Sequence, residues 1–227
     1  MAELDNPIAR RGLLTVFVGA GMLVPFGMRA QAQGTGILGG VLGRASDQAL
    51  DKLAQPGAFY SDSAVRINLP GLGSTGSGGI LGGIGGMLSG VTGLDGITRK
   101  LNDAGGHAAQ AAKPVFRAAI AHLSFADVPG LVEHNDGGTR YLRQSAGGEL
   151  HAAVRPLVDK ALVAVGAYHE VDQLSAQGGL LAQLGLTRDS LGNSVTGQAL
   201  NGIFKYMGVE ESRLRANPIG AIGGITF

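Results

Sequence analysis

The stretch TRYLRQSAGGELHAAVRPLVDKALVAVGAY, residues Thr139–Tyr168, decides the fold. Leu142, Ala146, Leu150, Val154, Leu157, Ala161 and Val165 recur every three or four residues, the spacing of one helical face. Arg143, Glu149, Arg155, Asp159 and Lys160 fall largely between them, so one side of the helix is dry and the other wet. Pro156 interrupts the run. It lacks an N–H and its ring crowds the carbonyl four residues back, so a kink or a break is expected near Arg155.

The same spacing extends on both sides. Leu38, Val41, Leu42, Ala45, Ala49 and Leu53 line one face of a helix within Gly34–Gln55, and Pro56-Gly57 ends it. Val65-Arg66-Ile67-Asn68-Leu69 alternates apolar and polar, which predicts a short extended piece closed by Pro70. A glycine tract follows, with 12 glycines among the 26 residues of Gly71–Gly96. Helix resumes over Leu94–Ala112, weakened at Gly105-Gly106. Pro114 suits a first helical position, with Phe116, Ala119, Ile120 and Leu123 forming a stripe behind it. Ser124 or Asp127 is placed to cap a short helix carrying Val128, Leu131 and Val132. Gln177–Ser190 reads as a loose connection. A last helix is expected from about Thr196 to Arg215, with Leu200, Ile203, Phe204, Met207 and Leu214 inward and Asn217-Pro218 as its stop. The fold class is therefore all-α: a single irregular multi-helix bundle with a Gly-rich N-terminal segment. Its parts are expected to be a leader (1–32), an N-terminal helix with the extended piece and glycine tract (33–96), a helical core (97–218) and a flexible tail (219–227).

The first 32 residues read as a secretory signal. Arg10-Arg11 precede the apolar run Leu13–Phe26, and Ala30-Gln31-Ala32 supplies a small-x-small cleavage pattern. Paired arginines before a moderate, glycine-containing apolar run resemble a twin-arginine signal. The run is shorter than the ~20 residues that span a bilayer, so no transmembrane helix is expected in the mature chain. Without residues 1–32 the chain carries 15 residues of each charge sign, which leaves no basic footprint for nucleic acid. Cysteine is absent, which excludes disulfides, thiol chemistry and a lipid-bearing cysteine at the cleavage site.

Several segments together resemble the bacterial DUF4197 family, exported all-helical proteins of unknown function. They are Val65–Pro70, Ala111–Phe116, Ala118–Asp127, Thr139–Arg143, Pro156–Val158, Ala199–Phe204, Glu210-Glu211 and Leu214–Pro218, in order. The chain departs from the family's pattern at the glycine tract and at Ser194. The resemblance implies an architecture and a compartment, but no reaction.

Candidate chemistry is sparse. Gly71-Leu-Gly-Ser-Thr-Gly76 satisfies G-x-G-x-x-G, but a dinucleotide site needs that match inside a strand-turn-helix unit, and a lone match in a glycine tract follows from composition. There is no G-x-S-x-G elbow and no H-E-x-x-H. None of the five histidines is followed by a histidine or carboxylate four residues on, as a helical metal pair requires. Asp127, Glu133, His134 and Asp136 cluster, but read more simply as a helix cap and a solvated turn. No catalytic residue, cofactor or metal ligand is therefore assigned.

The candidate binding residues are Arg140, Tyr141 and Arg143. Cations near a helix N-terminus oppose the macrodipole, so something must compensate them: an anionic ligand or partner, or an ion pair to Glu133, Asp136 or Glu149. These readings combine into an exported, periplasmic, non-enzymatic module. Its partner is another protein, with peripheral association with the envelope. The alternative is a carrier holding a small apolar or amphipathic ligand between helices, and a hydrolase with a cryptic site has least support.

Overall fold

The computed structural model describes residues 36–70, 94–124, 131, 133–176 and 187–217. The leader, the G-x-G-x-x-G match, the helix expected to begin near Ser124 or Asp127 and the tail lie outside them, wholly or for the most part. Among the described residues there are six helices and no strand: α1 (Ile37–Leu53), α2 (Ala58–Ser61), α3 (Leu94–Ala121), α4 (Gly137–Ala164), α5 (Ala167–Ala176) and α6 (Arg188–Ala216). None is long and apolar enough to cross a membrane.

The four long helices make a ring of neighbours. α1 packs on α3, α3 on α4, α4 on α6 and α6 back on α1, while the diagonal pairs touch little. The all-α bundle expected from the apolar spacing is what forms. Leu42, Leu50, Leu101, Phe116, Leu142, Leu150, Val158, Leu191, Val195 and Met207 fill its centre. The rings of Phe116 and Phe204 meet there at 5.9 Å and a 59° tilt, a favourable aromatic geometry.

Pro114, expected at a first helical position, and Pro156, expected to kink or break its helix, both sit inside helices. α3 runs unbroken through Pro114, and α4 through Pro156. In both cases the proline and the residue four back, Gln110 or Ala152, are exposed. Each proline thus lies on an exposed turn, where water can take the place of the donor it lacks. The real break comes later. Gly166 adopts φ 72°, a left-handed conformation natural to glycine, and splits the expected Thr139–Tyr168 run into α4 and α5. The last helix also starts earlier than expected. Thr187 and Ser190 form a reciprocal capping box, with Ser190 N donating to Thr187 Oγ1 at 3.1 Å and Thr187 N to Ser190 Oγ at 2.9 Å. Arg188–Ser190 thus belong to α6 rather than to a connection.

The Val65–Leu69 piece keeps its alternation without joining a strand. Val65, Ile67 and Leu69 are buried and Arg66 and Asn68 half-buried. It threads between α3 and α6, and carboxamide side chains replace the missing ladder. Asn102 on α3 accepts from Ile67 N and donates to Ile67 O, both at 2.8 Å. Gln198 on α6 accepts from Asn68 N at 2.9 Å and donates to Asn68 O at 2.8 Å. One turn from each carboxamide stands a glycine that admits the segment. A Cβ on Gly105 would lie 2.5 Å from Ile67 Cδ1, and one on Gly202 3.2 Å from Val65 Cβ. Buried backbone groups need partners, and here two helices supply them.

Candidate functional site

The site begins at the N-terminus of α4, where the first-turn amides have no partner within the helix. They are met from α6. The carboxylate of Glu211, 1% exposed, accepts from Gly138 N at 2.9 Å and from Thr139 N and Thr139 Oγ1, both at 2.7 Å. A Cβ on Gly138 would lie 2.8 Å from Glu211 Oε1, so glycine is what lets the carboxylate approach. Arg215, one turn further along α6, pairs with Glu211 at 2.5 Å and donates to Leu131 O at 2.9 Å. A buried anion on the positive end of α4, itself held by an arginine, is favourable electrostatics for that helix start.

Just past this cap, α4 and α6 part enough to leave an open groove of about 550 Å³. Arg140 and Arg143 line it from α4, and Asn201, Phe204, Lys205 and Val209 from α6. Arg140 Nε lies 2.9 Å from Asp136 Oδ2, an exposed pair on one helical face. Arg143 differs. Its Nη2 donates to the neutral Asn201 Oδ1 at 2.6 Å, and its guanidinium sits 5.7 Å from the Phe204 ring centroid. Among the described residues no carboxylate comes within ion-pair distance of Arg143 or Lys205, although Asp62 lies near enough to feel the Lys205 charge. Val209, beside them, is 58% exposed.

Of the three residues singled out from sequence, the structure brings Arg140 and Arg143 together in the groove. Tyr141 is not among the groove's lining residues. It packs against the core and donates its hydroxyl to Ser124 O at 2.9 Å. The ion pair expected for the cationic helix start is Arg140–Asp136; Glu133 and Glu149 take no part in it. Lys205, Asn201 and Val209 escaped the sequence reading because α6 presents them on an otherwise ordinary polar stripe. Their only sequence signal is the three-and-four spacing 201-205-209-212 on the helix face away from Ile203 and Met207.

The groove's hydroxyls are already engaged: Thr139 donates to Glu211, and Ser212 Oγ to Gly208 O at 2.8 Å. A second polar cluster joins α4, α5 and α6 around Gly192. There Arg155 reaches Asp159 at 3.0 Å and Asp189 at 3.2 Å, and Tyr168 donates to Asp159. Burial, then the hydrogen bond to Asp159, pushes the Tyr168 phenol up to about 12. At neutral pH this phenol holds its proton firmly and serves as a donor that ties the helices. Among the described residues no group of three or more His, Asp or Glu side chains is placed to hold a metal ion.

A family model described as "protein of unknown function (DUF4197)" matches residues 30–225, a span that contains every segment on which the resemblance rests. No curated protein and no solved structure matches the chain.

Proposed function

We propose that the chain, which belongs to the DUF4197 family, is an exported, periplasmic, non-enzymatic module that holds a protein partner at the α4–α6 groove in the cell envelope. The observation that carries this reading is Arg143: a cation held by a neutral amide and an aromatic face, with no carboxylate among the described residues to neutralise it. Lys205 adds a second cation with no carboxylate in direct contact, and Val209 adds exposed apolar surface beside both. Charge left open in a concave, partly apolar site is the composition of a recognition surface. Arg10-Arg11, the apolar run after them and Ala30-Gln31-Ala32 support export.

The test is native mass spectrometry of the protein taken from its own envelope fraction, beside the Arg143→Ala, Lys205→Ala double variant. A protein partner kept by the parent and lost by the variant is the expected result. A partner kept equally by both would refute the groove. A retained small apolar molecule in place of a protein would turn the reading to a carrier. Recovery of the chain only from the cytoplasm would overturn export.

A further inference from the structure

The groove also carries information about what kind of partner segment it takes. Its α6 wall runs from Asn201 to Ser212, which at ~1.5 Å per residue is about 16 Å long. That matches about five residues of extended chain at ~3.3 Å each. The two cations without carboxylate partners stand toward its Asn201–Lys205 end, and exposed Val209 lies one turn further along. Arg143 is pre-oriented: Asn201 Oδ1 holds one terminal nitrogen, and the Phe204 ring lies near its guanidinium. Its other N–H groups have no hydrogen-bond acceptor among the described residues. A planar fork suits a carboxylate, and the bond to Asn201 lowers the side-chain freedom lost on binding.

We infer that the groove binds an extended acidic peptide segment of a partner protein, its carboxylates on Arg143 and Lys205 and an apolar side chain over Val209. The inference rests on the interaction-module reading above and adds the chemistry of the partner. Charge complementarity sets the sign of the segment. Of the lining residues, Arg140 and Asp136 satisfy each other, leaving two positive charges in excess. The concave form decides between a peptide and a membrane. A bilayer surface is bound by a protruding apolar face rimmed by a larger set of cations, whereas these two cations and one valine line a recess. A segment that enters the recess reaches all three.

The experiment uses the full mature chain and a fluorescein-labelled hexapeptide Glu-Ser-Glu-Ser-Leu-Ser, whose carboxylates and leucine share one face when extended, read by fluorescence anisotropy. Controls are the same peptide with Gln for Glu and phosphatidylglycerol vesicles by co-sedimentation. The acidic peptide should bind, with affinity falling as salt rises. Lys205→Glu and Arg143→Ala should each weaken it about tenfold or more, since each removes a charge-assisted contact. Lys205 is exposed but feels Asp62, so Lys205→Gln, which adds no negative charge there, should melt like the parent and weaken peptide binding in the same direction. Arg117→Ala, at an exposed pair with Asp47 elsewhere on the bundle, should bind as the parent does. Equal affinity for the Gln peptide would overturn the inference, as would an unchanged Lys205→Glu variant. Binding to vesicles that the peptide does not displace would overturn it in favour of a lipid surface. If the acidic peptide fails while native mass spectrometry still shows a partner lost on groove substitution, the acidic segment is wrong and the interaction module stands. If both fail, both readings fall.

Discussion

Replacing Glu211 should be among the most damaging single changes available in this bundle. The side chain is 1% exposed, and each oxygen accepts twice: Oε1 from Gly138 N and Arg215 Nη2, Oε2 from Thr139 N and Thr139 Oγ1. Glu211→Gln keeps the shape and removes the charge. The gentlest placement of the new amide nitrogen is at Oε2, where the Thr139 hydroxyl can rotate to accept from it, but Thr139 N–H is then left without a partner. An orphaned buried donor costs about 1–3 kcal/mol. The Arg215 side chain, 17% exposed, also loses its counter-charge, and removing one partner of a buried pair costs about 3–5 kcal/mol. These terms overlap, since the same four contacts enter both, so about 3 kcal/mol is expected for Glu211→Gln and somewhat more for Glu211→Ala. Against a total stability of about 5–15 kcal/mol, that is a large fraction. Urea unfolding followed by far-ultraviolet circular dichroism gives the difference. Amide exchange should show protection lost first at Gly138 and Thr139. A change below about 1 kcal/mol for Glu211→Gln, with those amides still protected, would refute the cap.

The remaining expectations concern packing, the threaded segment and pH. Gly105→Ala should destabilise by about 1–3 kcal/mol, because its Cβ would lie 2.5 Å from the buried Ile67 Cδ1; Gly148→Ala, with open space around it, should stabilise α4 by up to about 1 kcal/mol, and thermal melts separate the two. Asn102→Ala should cost about 2 kcal/mol or more in urea, since it strips both Ile67 N and Ile67 O of their partners; a loss under 0.5 kcal/mol, on that order-of-magnitude scale, would mean the segment finds other partners. Tyr206 is pushed up to about 12 chiefly by its hydrogen bond to Asp62 and then by burial, and Tyr168 by burial first. The fold prefers both phenols protonated, so the stability they lend is complete below pH 10 and is lost as pH rises through about 12. Phenolate absorbance should show Asp62→Ala returning one tyrosine toward its ordinary value.

The periodicity of Thr139–Tyr168 was enough to identify the bundle, because a helix that faces a core on one side cannot hide its three-and-four spacing. Leu142, Ala146, Leu150, Val154 and Ala161 are all buried. Beyond Val154 the dry stripe also takes in Val158 and Leu162, which the strict seven-residue reading left out. Boundaries were less legible because proline and glycine act through exposure as much as through identity. Pro114 and Pro156 look alike in sequence to prolines that end helices, and only the exposure of Gln110 and Ala152 shows why these do not. Gly105-Gly106 read as weak points in a helix, yet Gly105 is where the bundle admits its threaded segment. The alternation of Val65–Leu69 matches the burial of Val65, Ile67 and Leu69, but no local pattern announces that Asn102 and Gln198, far apart in the chain, complete its hydrogen bonds.

The candidate site was legible as an electrostatic problem before it was legible as a place. Cations one turn into a helix need compensation, and the structure divides that compensation into three parts. Glu211 meets the helix end itself, Asp136 meets Arg140, and a neutral amide with an aromatic ring meets Arg143. The first two are closed accounts of charge, each with a carboxylate in contact. The third is not, since Asn201 orients the guanidinium without cancelling its charge. Had the helix start only needed stabilising, a carboxylate at position 201, one methylene-free exchange of amide for acid, would have done it at no cost in shape. With Asn201 there, Arg143 keeps both its orientation and its charge. Asn201→Asp therefore separates structure from recognition: it should leave or raise thermal stability by pairing with Arg143, and at the same time weaken acidic-peptide binding by supplying the anion from within. A variant that melts higher and still binds the peptide as tightly as the parent would show that Arg143 is a structural arginine after all.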